Sequence, residues 1–240
     1  CIVLEPTIYE NPKKGFLQKV RSIADSNNAI LIFDEIVTGF RFDLSGAQKF
    51  YDVKADMVCF GKGMGNGLPI SAITGPTEFM KIFDELWVSS TNNRETLSLA
   101  GTHATISEMK EKNTIEYCWK LGKILFEGWN KISEAHNLKI KMIGHSIRMT
   151  LKCHDSNDNE SLVLKSLVLQ EMVKKGVFMS PGPTFLSYSH NQKDIEYTLS
   201  KFEEVCSKIK NIKEQDYSKH LEGVPPEPIW KMNIPTTKQK

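Results

Sequence analysis

The chain has 240 residues, 40% of them hydrophobic and 25% charged, with a formal net charge of +2; that length suits one or two domains with a sizeable core. The near balance of charge excludes the basic footprint of a nucleic-acid binder, and no apolar run approaches the roughly 18 residues of a membrane span. Five scattered cysteines (Cys1, Cys59, Cys118, Cys153 and Cys206) without C-x-x-C spacing argue against a zinc site or a disulfide framework, and the expectation is a cytoplasmic protein with reduced thiols.

The sequence opens on "CIVLEP", a short apolar run closed by proline, which reads as a strand buried on both faces. A domain seldom starts inside a sheet, so the expectation is that an N-terminal portion lies outside this sequence. "FLQKVRSIADSNN" places Phe16, Leu17, Val20, Ile23 and Ala24 on one helical face, with Asn27 and Asn28 as left-handed C-cap residues. "AILIF" (29–33) is a second apolar strand and is followed at once by Asp34 and Glu35. "ADMVCFG" (55–61) is a third, "PISAITG" (69–75) a fourth. Strand, helix, strand and turn in this order predict an α/β sheet that is at least partly parallel.

Past residue 100 the texture changes. "TIEYCWKLGKILFEGWNKI" is a long amphipathic helix with apolar positions at 115, 118, 125, 129 and 132. "KIKMIGHSIRMTLKCHD" reads as strands, "LVLKSLVLQEMVKKG" as a helix closed by Gly176, and "TFLSYSH" as a short strand. A final helix opens at a cap-like Asn191/Asp194 pair. The second half therefore reads as a smaller α+β domain, and the proline-rich stretch from about residue 216 as an extended tail.

The stretch "CFGKGMGNGLPI" (59–70) sets one lysine, Lys62, among four glycines. Asp34 and Lys62 each follow a predicted parallel strand, and ligands of open α/β sheets collect outside those carboxyl ends. A carboxylate there can accept from a cationic ring N–H. An amine held nearby can become a nucleophile. That pair suits pyridoxal 5'-phosphate (PLP), which needs a Schiff-base lysine and an acid that keeps its pyridine nitrogen protonated. Two other readings stay open at this point. The residues can be an acid ending a strand and a lysine in a turn, or the glycines can cradle a phosphate. The last is weak, because "GKGMGNG" has neither the G-x-x-x-x-G-K-[ST] nor the G-x-G-x-x-G spacing.

The stretch "LIFDEIVTGFRFDLSGAQKFYDVKADMVCFGKGMGNGLPISAITG", continued by "SSTNNRETLSLAGTHATI", "LSYSH" and "LEG…P…P…W", closely resembles class III aminotransferases of PLP fold type I. The branch it resembles is that of glutamate-1-semialdehyde aminomutase and its relatives in surface-polysaccharide and amino-sugar gene clusters. The resemblance implies an α/β fold in which residues 1–110 are the C-terminal part of the PLP-binding large domain, with a mostly parallel sheet. Residues 111–215 are then the small α+β domain and 216–240 the tail. It implies PLP as cofactor, Lys62 as catalytic Schiff-base lysine, Asp34 as partner of the pyridine nitrogen and Ile36 against one face of the ring. It also implies that Thr91 donates to the cofactor phosphate of a neighbouring subunit, hence a homodimer with shared sites.

The function so implied is amino transfer between an amino acid or amine donor and a carbonyl acceptor. Alternatives are aminomutase-type transfer within one molecule and a non-catalytic paralogue that keeps the fold for interaction. Without its N-terminal region the stretch alone is expected to be a poor catalyst. Two departures from the family pattern, Val37 and the run Asn92-Asn93-Arg94-Glu95-Thr96, bear on substrate choice. Arg148 reads as a solvated arginine and His190 as a capping histidine, while Glu5 and Glu35 read as supporting residues.

Overall fold

The computed structural model describes residues 1–88, 91–93 and 95–225. The first half builds a four-stranded sheet in the order β1 (Ile2–Leu4), β2 (Leu31–Asp34), β3 (Met57–Phe60) and β4 (Ala72–Thr74). The pairs β1–β2 and β2–β3 are parallel, and β3–β4 is antiparallel, in line with the mostly parallel sheet expected from sequence. The crossover from β1 to β2 is α1 (Phe16–Ser26), and the short α2 (Ala47–Phe50) lies between β2 and β3.

Helix α1 starts after Gly15, whose φ of 80° is open to glycine. It ends where Asn28 turns left-handed (φ 48°) and the Ala29 N–H donates to the Ala24 carbonyl; of the two asparagines expected to be left-handed, Asn27 keeps a negative φ of −113°. Leu17 and Ala24 are buried against Leu31, Phe33 and Val58. Phe16 and Ile23 stay about half exposed. These two lie seven residues apart on one flank, a step of 100° round from the Leu17–Ala24 line, so the apolar stripe is narrower than the sequence implied.

A second correction concerns β1. Strand periodicity sends Val3 to the face opposite Ile2 and Leu4, and Val3 is 60% exposed. No described layer covers that face, so β1 is not buried on both sides.

The second half follows from α3 (Thr77–Met80) through two long helices, α4 (Thr96–Glu111) and α5 (Thr114–Ala135). It continues as β5 (Ile140–His145), β6 (Arg148–Cys153), α6 (Leu162–Lys174), β7 (Pro183–Phe185) and α7 (Gln192–Ile209). The strands form an antiparallel sheet in the order β5-β6-β7. Trp129 of α5 stacks on Phe202 of α7, and both join Ile140, Met149, Leu151 and Leu167 in one core. Helix α7 opens with the capping box expected at Asn191 and Asp194.

Three further differences from the sequence reading have local causes. Helix α4 was not anticipated, because Leu97 and Leu99 are exposed while Ser98 is buried, so it carries little apolar periodicity. "TFLSYSH" is strand only to Phe185, and the Ser187 N–H donates to His190 Nδ1 across the turn that follows. Glu214–His220 is a 3-10 helix with Tyr217 buried rather than extended chain, and residues 226–240 lie outside the described residues.

The two halves are joined by charge and aromatic packing. Arg148 is buried, not solvated: its guanidinium donates to the Glu5 carboxylate and, at 3.1 Å, to the Thr7 carbonyl. His145 lies at the end of β5, with Nε2 2.9 Å from the Thr7 hydroxyl and its ring edge-on to Phe42. Among the described residues no helix is long and apolar enough to cross a membrane.

Candidate active site

Asp34 is the last residue of β2, and the parallel register sets it opposite Cys59 of β3. Both strands therefore finish at one edge of the sheet, with Lys62 three residues past Cys59. Oδ1 of Asp34 accepts from the Ile36 N–H at 3.0 Å, closing the turn out of the strand. The Asp34 side chain is half-buried, and among the described residues no lysine, arginine or histidine comes within ion-pair distance of it. Burial and the Asp34 charge together push the Cys59 thiol up.

The next residue does a different job. Glu35 is fully buried, and its carboxylate accepts from the Thr38 hydroxyl and, at 2.8 Å each, from the Ala47 and Gln48 N–H groups. Burial raises its pKa against the pull of those bonds. The amides belong to the start of α2, so Glu35 ties the segment after β2 to that helix. Its backbone is pinned too: the Glu35 N–H donates to the Cys59 carbonyl and the Gly39 N–H to the Glu35 carbonyl. Sequence reasoning gave Glu35 a supporting role without these partners: Thr38 and Ala47 lie in the runs "TGFR" and "GAQ", but neither run shows that they converge on Glu35.

The lysine loop is laid on this anchored segment. A Cβ built on Gly61 would lie 3.5 Å from Ile36 Cγ2. One on Gly63 would lie 3.6 Å from the Gly39 carbonyl oxygen and 3.8 Å from Arg41 Nη2. Both are ordinary contacts, so these glycines do not relieve crowding. Gly65 does, because a Cβ there would meet Ile70 Cγ2 at 2.5 Å.

Between them Lys62 opens a 3-10 turn (Lys62–Met64), its carbonyl accepting from the Gly65 and Asn66 N–H groups. Its φ of 42° is left-handed, which costs a non-glycine residue on the order of 1 kcal/mol. The side chain is exposed. An exposed amine on a pinned, left-handed backbone is presented to a ligand rather than packed.

The structure thus brings Asp34, Ile36 and Lys62 to one sheet edge. Thr91 does not join them by any described contact; it sits exposed in the turn that precedes α4. That helix is capped by Glu95, whose carboxylate accepts from the Leu97 and Ser98 N–H groups at 2.7 and 2.6 Å. Arg41 was not singled out by sequence. It follows the same segment, with Nε donating to the Val37 carbonyl at 3.0 Å and its guanidinium carbon 4.1 Å from the centre of the Phe185 ring.

Comparison with known proteins agrees with this architecture. The family profile described as Aminotransferase class-III matches residues 2–204. Glutamate-1-semialdehyde 2,1-aminomutase 2 of Staphylococcus haemolyticus is 36% identical over 211 residues, covering 82% of this chain and 49% of the relative. Glutamate-1-semialdehyde 2,1-aminomutase 1 of Staphylococcus carnosus is 34% identical over 216 residues, or 83% and 49%. The chain spans about half the length of these curated relatives.

Among solved structures, a transaminase with PLP bound superposes with a TM-score of 0.79 at 19% identity, over 88% of this chain and 52% of that one. The FumI protein of Sphingopyxis sp. MTA144, solved as its PLP internal aldimine form, gives a TM-score of 0.80 at 22% identity, over 90% and 52%. The fold is that of these transaminases.

Proposed function

The chain belongs to the class III aminotransferases, and from that membership we propose that the protein is a PLP-dependent enzyme that transfers an amino group from an amino acid or amine donor to a carbonyl acceptor. The observation that carries this reading is the register of Asp34 on Cys59, which sets at one sheet edge the exposed Lys62 amine and a carboxylate that has no cationic partner among the described residues. The residues fit the cofactor. A half-buried carboxylate suits a protonated pyridine nitrogen, the branched Ile36 suits a flat ring face, and a primary amine suits an aldehyde.

When bound, PLP supplies an aldehyde that condenses with amines and a ring that accepts electron density from the substrate carbon. Asp34 keeps the ring nitrogen protonated, and the turn bond from Ile36 fixes its carboxylate in place. Lys62 supplies the amine that holds the cofactor and moves a proton at the substrate Cα. Glu35 and Thr38 hold the 34–41 segment in position. Thr91, from the turn before α4, donates to the cofactor phosphate across a homodimer. Transfer within one molecule, as the aminomutase names of the relatives describe for those proteins, is the second reading; their identity of 34–36% favours it over more distant chemistries.

Asp34→Asn in the full-length protein tests the division of labour. An amide cannot hold the pyridinium, so the variant is expected to bind PLP within a few-fold of the parent while losing at least about 100-fold in the rate of Cα proton exchange. Equal losses in binding and in exchange contradict the role given to Asp34.

A further inference from the structure

The lysine loop carries a pair of residues that the amino-transfer reading does not use. Asn66 is the sole asparagine of the sequence that precedes a glycine. Asn66 and Gly67 are both exposed, and both have a positive φ, 47° and 102°. Among the described residues neither the Asn66 carboxamide nor the Gly67 N–H makes a hydrogen bond. A Cβ built on Gly67 would have nothing within 4 Å. The side-chain amide is thus free to turn, and the backbone nitrogen that follows it is free to approach. The Asn27, Asn130 and Asn211 carboxamides are instead held by backbone partners.

The surroundings favour negative charge on those atoms. Asn66 and Arg41 line one cleft of about 390 Å³ beside the loop, and no carboxylate among the described residues lies within ion-pair distance of Arg41. A guanidinium without a counterion favours an anionic nitrogen and the oxyanion that its attack creates.

We propose that Asn66-Gly67 is a self-modifying site, which closes to a succinimide and hydrolyses to leave a carboxylate and an isoaspartyl link in the loop that presents Lys62. In the first step the Gly67 nitrogen gives its proton to solvent base and bonds to Asn66 Cγ. The bond from Cγ to the amide nitrogen breaks, and ammonia leaves with a proton from water. Water then opens the ring. Attack on Cγ gives aspartate, and attack on the main-chain carbonyl gives isoaspartate, whose backbone runs through Cβ and Cγ. No electrons are transferred, and water is the one co-reactant.

The isoaspartyl product changes the loop. The Leu68 N–H donates to the Gly65 carbonyl at 3.1 Å, spanning residues 66 and 67, and the Asn66 N–H donates to the Lys62 carbonyl at 3.0 Å. A backbone lengthened at residue 66 no longer closes the first of these bonds, which loosens the turn that holds Lys62 left-handed. This consequence for the cofactor rests on the amino-transfer reading; the modification itself does not.

The test ages the full-length protein, folded and free of PLP, at mildly alkaline pH and follows residues 66 and 67 by peptide mass mapping. The expected result is a gain of one mass unit there ahead of every other asparagine, with ammonia released in step and the product accepted by an isoaspartyl methyltransferase. The rate should rise with hydroxide concentration. It should fall at least about 10-fold in Asn66→Gln, whose longer side chain would need a six-membered ring, and in Gly67→Ala, whose Cβ obstructs the approach. The aged protein should then capture PLP, read from the visible absorbance, about 5-fold more weakly, the scale of one lost hydrogen bond.

A gain that appears first at another asparagine, or at 66–67 only after denaturation, overturns the proposal. So does an unchanged rate in Gly67→Ala, which decides alone if Asn66→Gln fails to fold. Fully modified protein that captures PLP as the fresh protein does overturns the link to Lys62. Mass mapping is read without PLP, so a protein that never colours defeats the amino-transfer reading while the modification is still decided by mass.

Discussion

At position 46 the backbone turns with a φ of 83°, and a Cβ there would meet the Glu35 carboxylate at about 2.5 Å. Two penalties coincide, a left-handed backbone and a collision with a buried acid that three donors hold in place. Gly67 also has a positive φ, 102°, but a Cβ built there would have nothing within 4 Å. Gly46→Ala is therefore expected to cost about 2–4 kcal/mol in denaturant unfolding and Gly67→Ala only about 1 kcal/mol. Equal costs would mean that Glu35 does not anchor the segment. Other single residues divide by the range of their partners. The placement of Asp34 at the end of β2 and of Lys62 just past β3 was legible, because each closes an apolar run that reads as a strand. Arg148 was misread as solvated, since its partner Glu5 is 143 residues away in sequence, beyond the reach of periodicity or spacing.

Elements were legible where one physical signal dominated. Helices α5 and α7 follow their apolar spacing, and α7 begins at the asparagine that the capping pattern picks out. Strand β3 (57–60) falls within the expected run of 55–61, whereas β2 (31–34) begins two residues after the expected 29–33 and ends one residue beyond it, at Asp34. Strand β4 shows what sequence leaves open: "PISAITG" marks a strand, but the run does not say that it pairs antiparallel with β3. Helix α4 escaped because its stability comes from the Glu95 cap and from packing rather than from an apolar stripe. At β1 a continuous apolar run was read as two-sided burial, whereas Val3 faces no described layer. An apolar run fixes the strand but not what covers it.

At the scale of the molecule, the halves meet at His145 and Arg148, and that seam is sensitive to acid. Burial, reinforced by the Arg148 charge, lowers the His145 pKa from 6.5 to about 4. Between these values the unfolded chain binds the proton and the folded one does not. The stabilising contribution is thus complete above about pH 6.5, is lost as pH falls towards 4, and amounts to up to about 3 kcal/mol. Unfolding midpoints measured from pH 7 to pH 4 should fall more steeply in the parent than in His145→Gln. Parallel curves would place the acid sensitivity elsewhere.

The account turns on a covalent bond between PLP and one lysine among the chain's many. The direct measurement is borohydride reduction of the full-length protein with PLP, followed by digestion and mass mapping of the pyridoxyl group. The expected result is a single modified peptide carrying the label on Lys62, and no stoichiometric label in Lys62→Ala. A label on another lysine, or an equal yield in Lys62→Ala, would contradict it.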